Sequence, residues 1–149
     1  MNAHTTREAE EKDFDALMQL YLHLHEDHAP ALDERAAAVW QGILEDPNHH
    51  LIVCEEEGAL LSSCVCVIVP NLTRNLRPYA LIENVVTRPE HRKRGLASRC
   101  LEKAREIARE AGCYKIMLLT GSKDPAIHRF YQRAGYNNTD KTAYIQWLD

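Results

Sequence analysis

The sequence predicts an α/β (α+β) fold in which one mixed sheet carries helices on both faces, and three observations lead there. Two apolar runs, His50 to Cys54 and Leu60 to Val69, are separated by the turn-forming Glu55-Glu56-Glu57-Gly58, as in an antiparallel hairpin. A strand-like run from Tyr79 to Thr87, an amphipathic stretch from Leu96 to Ala111 and a nearly continuous apolar run from Tyr114 to Thr120 form a β-α-β unit, whose strands should be parallel. Helical periodicity flanks this block on either side in sequence, supplying cover for the sheet.

Each element has its own local reason. Asp13 is placed to cap a first helix whose apolar residues Phe14, Leu17, Met18, Tyr21 and Leu22 recur at helical spacing, to about His25. Asp33 is placed to cap a second, carrying Ala36, Ala37, Trp40, Ile43 and Leu44, with Asp46-Pro47-Asn48 as its stop. In the third helix Leu96, Cys100, Leu101, Ala104, Ile107 and Ala108 make one apolar stripe, and Gly112 ends it. The fourth has Asp124 as cap, Pro125 at its first position, Ile127, Phe130, Tyr131 and Ala134 on one side, and Gly135 after it. A last strand, Thr142 to Leu148, is expected to close the sheet.

At 149 residues the chain reads as a single domain over positions 1–149, and its 45% apolar and 27% charged composition is that of an ordinary globular protein. No apolar run approaches the roughly 18 residues of a membrane span, and the opening MNAHTTREAEEKDF lacks a signal-peptide core, so the expected location is the cytoplasm. Five cysteines without a CxxC pair argue for buried reduced thiols rather than disulfides or zinc. No metal site is expected, because His23 and His25 do not share a helix face with each other and His28 adds only a third scattered imidazole.

The net charge of −4 conceals a division: residues 1–57 hold 14 acids against three Lys or Arg, and residues 58–149 hold eight against fifteen. The densest basic stretch is Arg88-Pro-Glu-His-Arg-Lys-Arg-Gly-Leu-Ala97, between the end of a strand and the start of a helix. Helix N-termini present unpartnered N–H groups and attract anions, whereas cations placed there alone are unfavourable. Gly95 permits an unusual dihedral and small Ala97 keeps the first turn clear for a pyrophosphate. A solvated basic loop is the competing reading. Nucleic acid is disfavoured by the acidic pI of 6.1 and by the absence of aromatics among the basic residues.

The stretch Val85-Val86-Thr87-Arg88-Pro89-Glu90-His91-Arg92-Lys93-Arg94-Gly95-Leu96-Ala97 resembles the acetyl-CoA signature of the GNAT superfamily of N-acetyltransferases, through Arg92, Gly95 and Ala97. About 35 residues on, Ala126-Ile127-His128-Arg129-Phe130-Tyr131-Gln132-Arg133-Ala134-Gly135-Tyr136 is similar to the family's second signature. Ile82-Glu83-Asn84 and Gly112-Cys113-Tyr114-Lys115-Ile116 also look like the glucosamine-phosphate branch, in stretches too short to carry a substrate across.

The resemblance implies a sheet whose two parallel strands splay apart, with acetyl-CoA as cosubstrate along Val85, Val86 and Thr87. Its pyrophosphate would lie on backbone N–H groups from Arg92 through Lys93, Arg94, Gly95 and Leu96 to Ala97, with Ser98 adding a hydroxyl. It implies direct acetyl transfer to the primary amine of a small molecule by a homodimer. Protein N-terminal or lysine acetylation, and a non-catalytic acyl-CoA-binding regulatory module, are the alternatives. Tyr131 matches the tyrosine that protonates the leaving thiolate, although the spacing also suits a core residue. Glu83, the acid within the Tyr79 to Thr87 strand, is the candidate base; it is expected to be buried and to share a face with Val85 and Thr87, a salt bridge being its other reading. The loop PNLTRNLRP should border the acceptor, where Arg74 and Arg77 would suit a phosphate or carboxylate.

Overall fold

The computed structural model describes residues 3–24 and 30–149. At its centre is a five-stranded sheet in sequential order: β1 (His4–Glu8), β2 (His49–Glu56), β3 (Ala59–Val69), β4 (Tyr79–Thr87) and β5 (Ile116–Leu118). Strands β1 to β4 are antiparallel to their neighbours, while β5 lies parallel to β4, pairing only Ala80–Ile82 with Ile116–Leu118. Among the described residues four α-helices accompany it: α1 (Phe14–Tyr21), α2 (Glu34–Glu45), α3 (Leu96–Glu110) and α4 (Pro125–Arg133).

The expected double cover is present. On one face, Cys64, Cys66, Ile68 and Ile82 of the sheet pack with Leu96, Cys100, Leu101 and Ala104 of α3, and Phe130 and Tyr131 of α4 lean on this cluster. On the other, Leu51, Val53, Val65 and Val86 pack with Leu17 and Leu20 of α1 and Trp40 of α2, whose indole stacks on Phe14 at 4.9 Å. The apolar stripe read for α3 is therefore the one it buries. The β2–β3 hairpin turns tightly at Glu57 and Gly58, both at positive φ, as a two-residue loop requires. Asp33 and Asp124 cap α2 and α4 through Ala36 N–H at 3.0 Å and Ala126 N–H at 2.9 Å.

Several expectations are corrected. Strand β1 is additional, and its sequence HTTRE offers no apolar alternation to reveal it; it adds to β2 by main-chain pairing. Asp13 does not cap α1. Its carboxylate accepts two bonds from Arg7, at 2.7 and 3.0 Å, and one from Glu10 N–H at 2.7 Å, closing a 3-10 turn at Glu11–Asp13 instead. Helix α1 ends at Tyr21, and His25 and His28 lie outside the described residues. The strand expected at Thr142 to Leu148 is not formed: those residues carry no sheet hydrogen bonds and are exposed. Cys54, Cys64, Cys66 and Cys100 are buried free thiols, as the reduced reading requires, and Cys113 is half-buried.

Candidate active site

The site begins at an irregularity in β4. Val65 of β3 faces Glu83, but Ser63, two residues earlier, faces Val86, so β4 holds one residue too many. Asn84 absorbs it at φ +53°, a conformation tolerated by asparagine better than by most side chains. Two consequences follow. The strand bends away from β5, so that among the described residues the edge of β4 from Glu83 to Thr87 has no partner on that side. The alternation of faces also slips by one, sending Val85 to the α3 side and Val86 to the α1 side.

The slip overturns the expectation for Glu83. It lies opposite Val65 on the face of Val86, not with Val85 and Thr87, and it is exposed rather than buried. The Ser62 hydroxyl donates to the Val86 carbonyl at 2.9 Å and accepts from the Thr87 hydroxyl at 2.8 Å.

Beyond Thr87 the chain turns through Pro89–His91 into α3, and two residues of the basic loop, Lys93 (φ +62°) and Gly95 (φ +77°), are left-handed. Left-handed residues in a loop can turn N–H groups to one side, which makes this loop the candidate anion seat. Gly95 occupies the N-cap position of α3 without any side-chain cap, leaving the first-turn N–H groups at Leu96, Ala97 and Ser98 open to a ligand. A Cβ on Gly95 would meet no atom within 4 Å, so glycine is required here for its dihedral, not for space.

The basic side chains divide their work. Arg92 and Lys93 are exposed beside the seat. Arg94 is already engaged: its guanidinium donates to the buried Glu56 carboxylate at 2.6 Å and contacts the His91 ring at 2.8 Å, while His4 reaches the same Glu56 oxygen at 3.0 Å. Arg94 thus braces the loop against the end of β2. Arg88 is similarly committed, donating to the Leu60 carbonyl. The Leu96 side chain is core, so only its main chain can serve a ligand. Sequence reasoning had no signal for the Glu56–Arg94 brace, whose members are 38 positions apart.

Tyr131 comes from α4, half-buried against the α3-side cluster, its ring 5.0 Å from Phe130 and 6.3 Å from Tyr136. It is thus both a packing residue and a hydroxyl without a hydrogen bond among the described residues. Burial, with a smaller effect from Cys64, raises its pKa and holds the phenol neutral.

The loop at residues 70–78 enters β4 at Tyr79, the far end of the strand from the seat, about 26 Å away at strand rise. Arg77 is spent on the carbonyls of Gly112 and Cys113, at 3.1 and 3.0 Å, and Arg74 lies 5.4 Å over the Tyr114 ring. Arg77 is thus engaged by main-chain carbonyls, while among the described residues Arg74 makes only a ring contact. No group of His, Cys, Asp and Glu among the described residues is arranged for a metal.

A parallel strand pair that parts beside an uncapped, glycine-started helix leaves a bare strand edge next to a set of open N–H groups in one mixed α/β domain. The chain belongs to the Acetyltransferase (GNAT) family, whose profile matches residues 14–136. It is 30% identical over 141 residues to a glucosamine 6-phosphate N-acetyltransferase of Trypanosoma brucei brucei, covering 87% of this chain and 86% of that one. A solved structure from Agrobacterium tumefaciens str. C58, provisionally designated an acetyltransferase, superposes with a TM-score of 0.88 at 38% identity, covering 96% and 99% of the two chains. The aminoglycoside N-acetyltransferase AAC(6')-Iy, solved with CoA, shares the fold at a TM-score of 0.80 and 15% identity, over 100% of this chain and 97% of that one. The family makes this protein an acyltransferase with acetyl-CoA as its cosubstrate.

Proposed function

We propose that the protein is an N-acetyltransferase that moves acetyl from acetyl-CoA directly to the primary amine of a small molecule. The observation that carries this reading is the parting of β4 from β5 after the Ile82–Leu118 pair, beside the open N-terminus of α3. The bare edge at Val85, Val86 and Thr87 would complete its main-chain hydrogen bonds with the amides of the cosubstrate's pantetheine arm. The N–H groups from Arg92 to Ala97, with the Ser98 hydroxyl, would hold the pyrophosphate, and Arg92 and Lys93 would screen it.

The bound thioester supplies an electrophilic acetyl carbon. As its C–S bond breaks and a C–N bond forms, two protons need handling. The neutral Tyr131 phenol donates one to the departing sulfur. Glu83, exposed at the bulge on the α1 side, takes the amine proton through solvent. A main-chain N–H at Val85 polarises the thioester carbonyl. The acceptor would enter from the α1–α2 side, where the acidic N-terminal half attracts a cationic amine.

A small-molecule acceptor is favoured by the curated relative in Trypanosoma, which is named for an amino sugar phosphate. The free, mostly buried thiols suit a reducing compartment, which supports a cytoplasmic enzyme. The test is a thiol-release screen over aminosugars, glucosamine 6-phosphate among them, with polyamines, aminoglycosides, amino acids and peptides. Turnover with a small amine and none with peptides is expected; preferential release with peptides would replace the acceptor class.

A further inference from the structure

We infer that Tyr21 is a positioning residue of the site: its phenol, projecting from α1, anchors the Asn84 bulge and so keeps β4 parted from β5. The inference deepens the function proposed above and rests on the cosubstrate lying along β4. Backbone preference does not by itself hold Asn84 in place. At φ +53° it occupies the left-handed region, which asparagine tolerates without preferring it. A sparsely favoured conformation persists where its surroundings impose it, so the bulge calls for an anchor outside its own strand.

That anchor is on α1. The Val65–Glu83 and Ser63–Val86 pairs bracket the bulge, and Val65 and Val86 belong to the cluster buried by Leu17 and Leu20 of α1. Tyr21, next along the helix, packs on the same cluster, and its hydroxyl meets the side chains of Ser63 and Asn84. Chemistry fixes the direction of each bond. Ser63 is fully buried, and its single hydroxyl proton goes to the Ile52 carbonyl at 2.7 Å, so its oxygen can only accept from the phenol. With its own proton given to Ser63, the phenol oxygen accepts from the Asn84 side-chain amide.

The bonds thus run from Asn84 through Tyr21 and Ser63 to Ile52, tying the bulge to β3 and β2. They end on a main-chain carbonyl, which takes no proton at neutral pH, so they orient the strand and relay nothing. Burial pushes the Tyr21 phenol up to about 12, which keeps its hydroxyl a donor throughout that range. Val85, the next residue after Asn84, begins the bare edge that runs to Thr87. An Asn84 released from Tyr21 leaves that edge less often in the parted geometry, and apparent affinity falls with the competent population.

The test is a calorimetric titration of CoA into the full chain and its variants. Tyr21→Phe keeps the ring and removes the hydroxyl; its Kd should rise about fivefold, near the worth of one hydrogen bond. Glycine adopts a positive φ unaided, so in an Asn84→Gly background the same substitution should change Kd by less than about twofold. An unchanged Kd in Tyr21→Phe alone overturns the inference. So does an equal loss in both backgrounds, which would place the effect of the hydroxyl elsewhere. A further measurement needs no variant: in the isotope-labelled wild type, nuclear Overhauser contacts should join the Asn84 side-chain amide protons to the Tyr21 ring, and their absence in the folded chain overturns the anchor. The cosubstrate reading fails separately, since a folded wild type that binds no CoA removes it and, with it, the purpose of the anchor.

Discussion

Tyr131 packs against the core and is the proposed general acid, and its surroundings suit both roles. Its ring belongs to the aromatic contact between Phe130 and Tyr136, and that burial keeps the hydroxyl protonated. Tyr131→Phe preserves the ring, so cosubstrate affinity should persist while turnover falls ten- to a thousandfold, roughly the span of general acid catalysis; wild-type turnover would return the residue to packing alone. Because the shift is upward, wild-type activity should not decline from tyrosine ionisation until pH passes above the ordinary phenol value of 10.0. Arg94 shows the opposite outcome. By sequence it is one of three adjacent cations facing a phosphate, whereas its guanidinium is bound by Glu56 at 2.6 Å. Glu56→Gln should therefore weaken CoA binding by about tenfold, near the loss of one charge-assisted hydrogen bond, with turnover at saturation unchanged. A calorimetric titration beside a saturation curve separates the two quantities.

At the scale of elements, local chemistry was legible where one residue decides one terminus. Asp33 and Asp124 cap their helices, and Gly112 and Gly135 follow theirs in left-handed conformation. Asp13 looked equally suited, but Arg7 arrives from β1, a strand hidden by its lack of apolar residues, and claims the carboxylate. That ion pair is mostly buried, so Asp13→Asn should destabilise by about 3 kcal/mol. The hydrogen bond from Arg7 holds the Asp13 carboxyl below its ordinary value. A lowered folded-state pKa contributes stability above the unfolded value and loses it as pH falls through the folded one. The melting-temperature gap between wild type and Asp13→Asn should thus be full at pH 6 and shrink below about pH 4. Gly95 governs another element: at φ +77° an alanine costs about 1–2 kcal/mol. Gly95→Ala should lower both thermal stability and CoA affinity, and loss of neither would remove the seat from its assigned place.

For the whole molecule, saturating acetyl-CoA should raise the melting temperature, since a ligand at 100 times its Kd adds about 2.7 kcal/mol to the folded state. A folded chain showing no shift would sink the proposed cosubstrate site at the start of α3. The sequence by itself determined the fold class, the limits of β4 and α3, two helix caps and the glycine that starts the seat. Each depends on periodicity or on residues within a turn of one another. Only the tertiary structure decided the face of Glu83, the employment of Arg94 and Arg77, the bulge at Asn84 and the absence of a strand at residues 142–148. The physical reason is the same in each: a side chain's face depends on the register of a neighbouring strand, and a cation's duty on which carboxylate or carbonyl the fold brings within 3 Å or so. Apolar pattern states that a segment can form a strand; geometry alone states whether its own sheet takes it in.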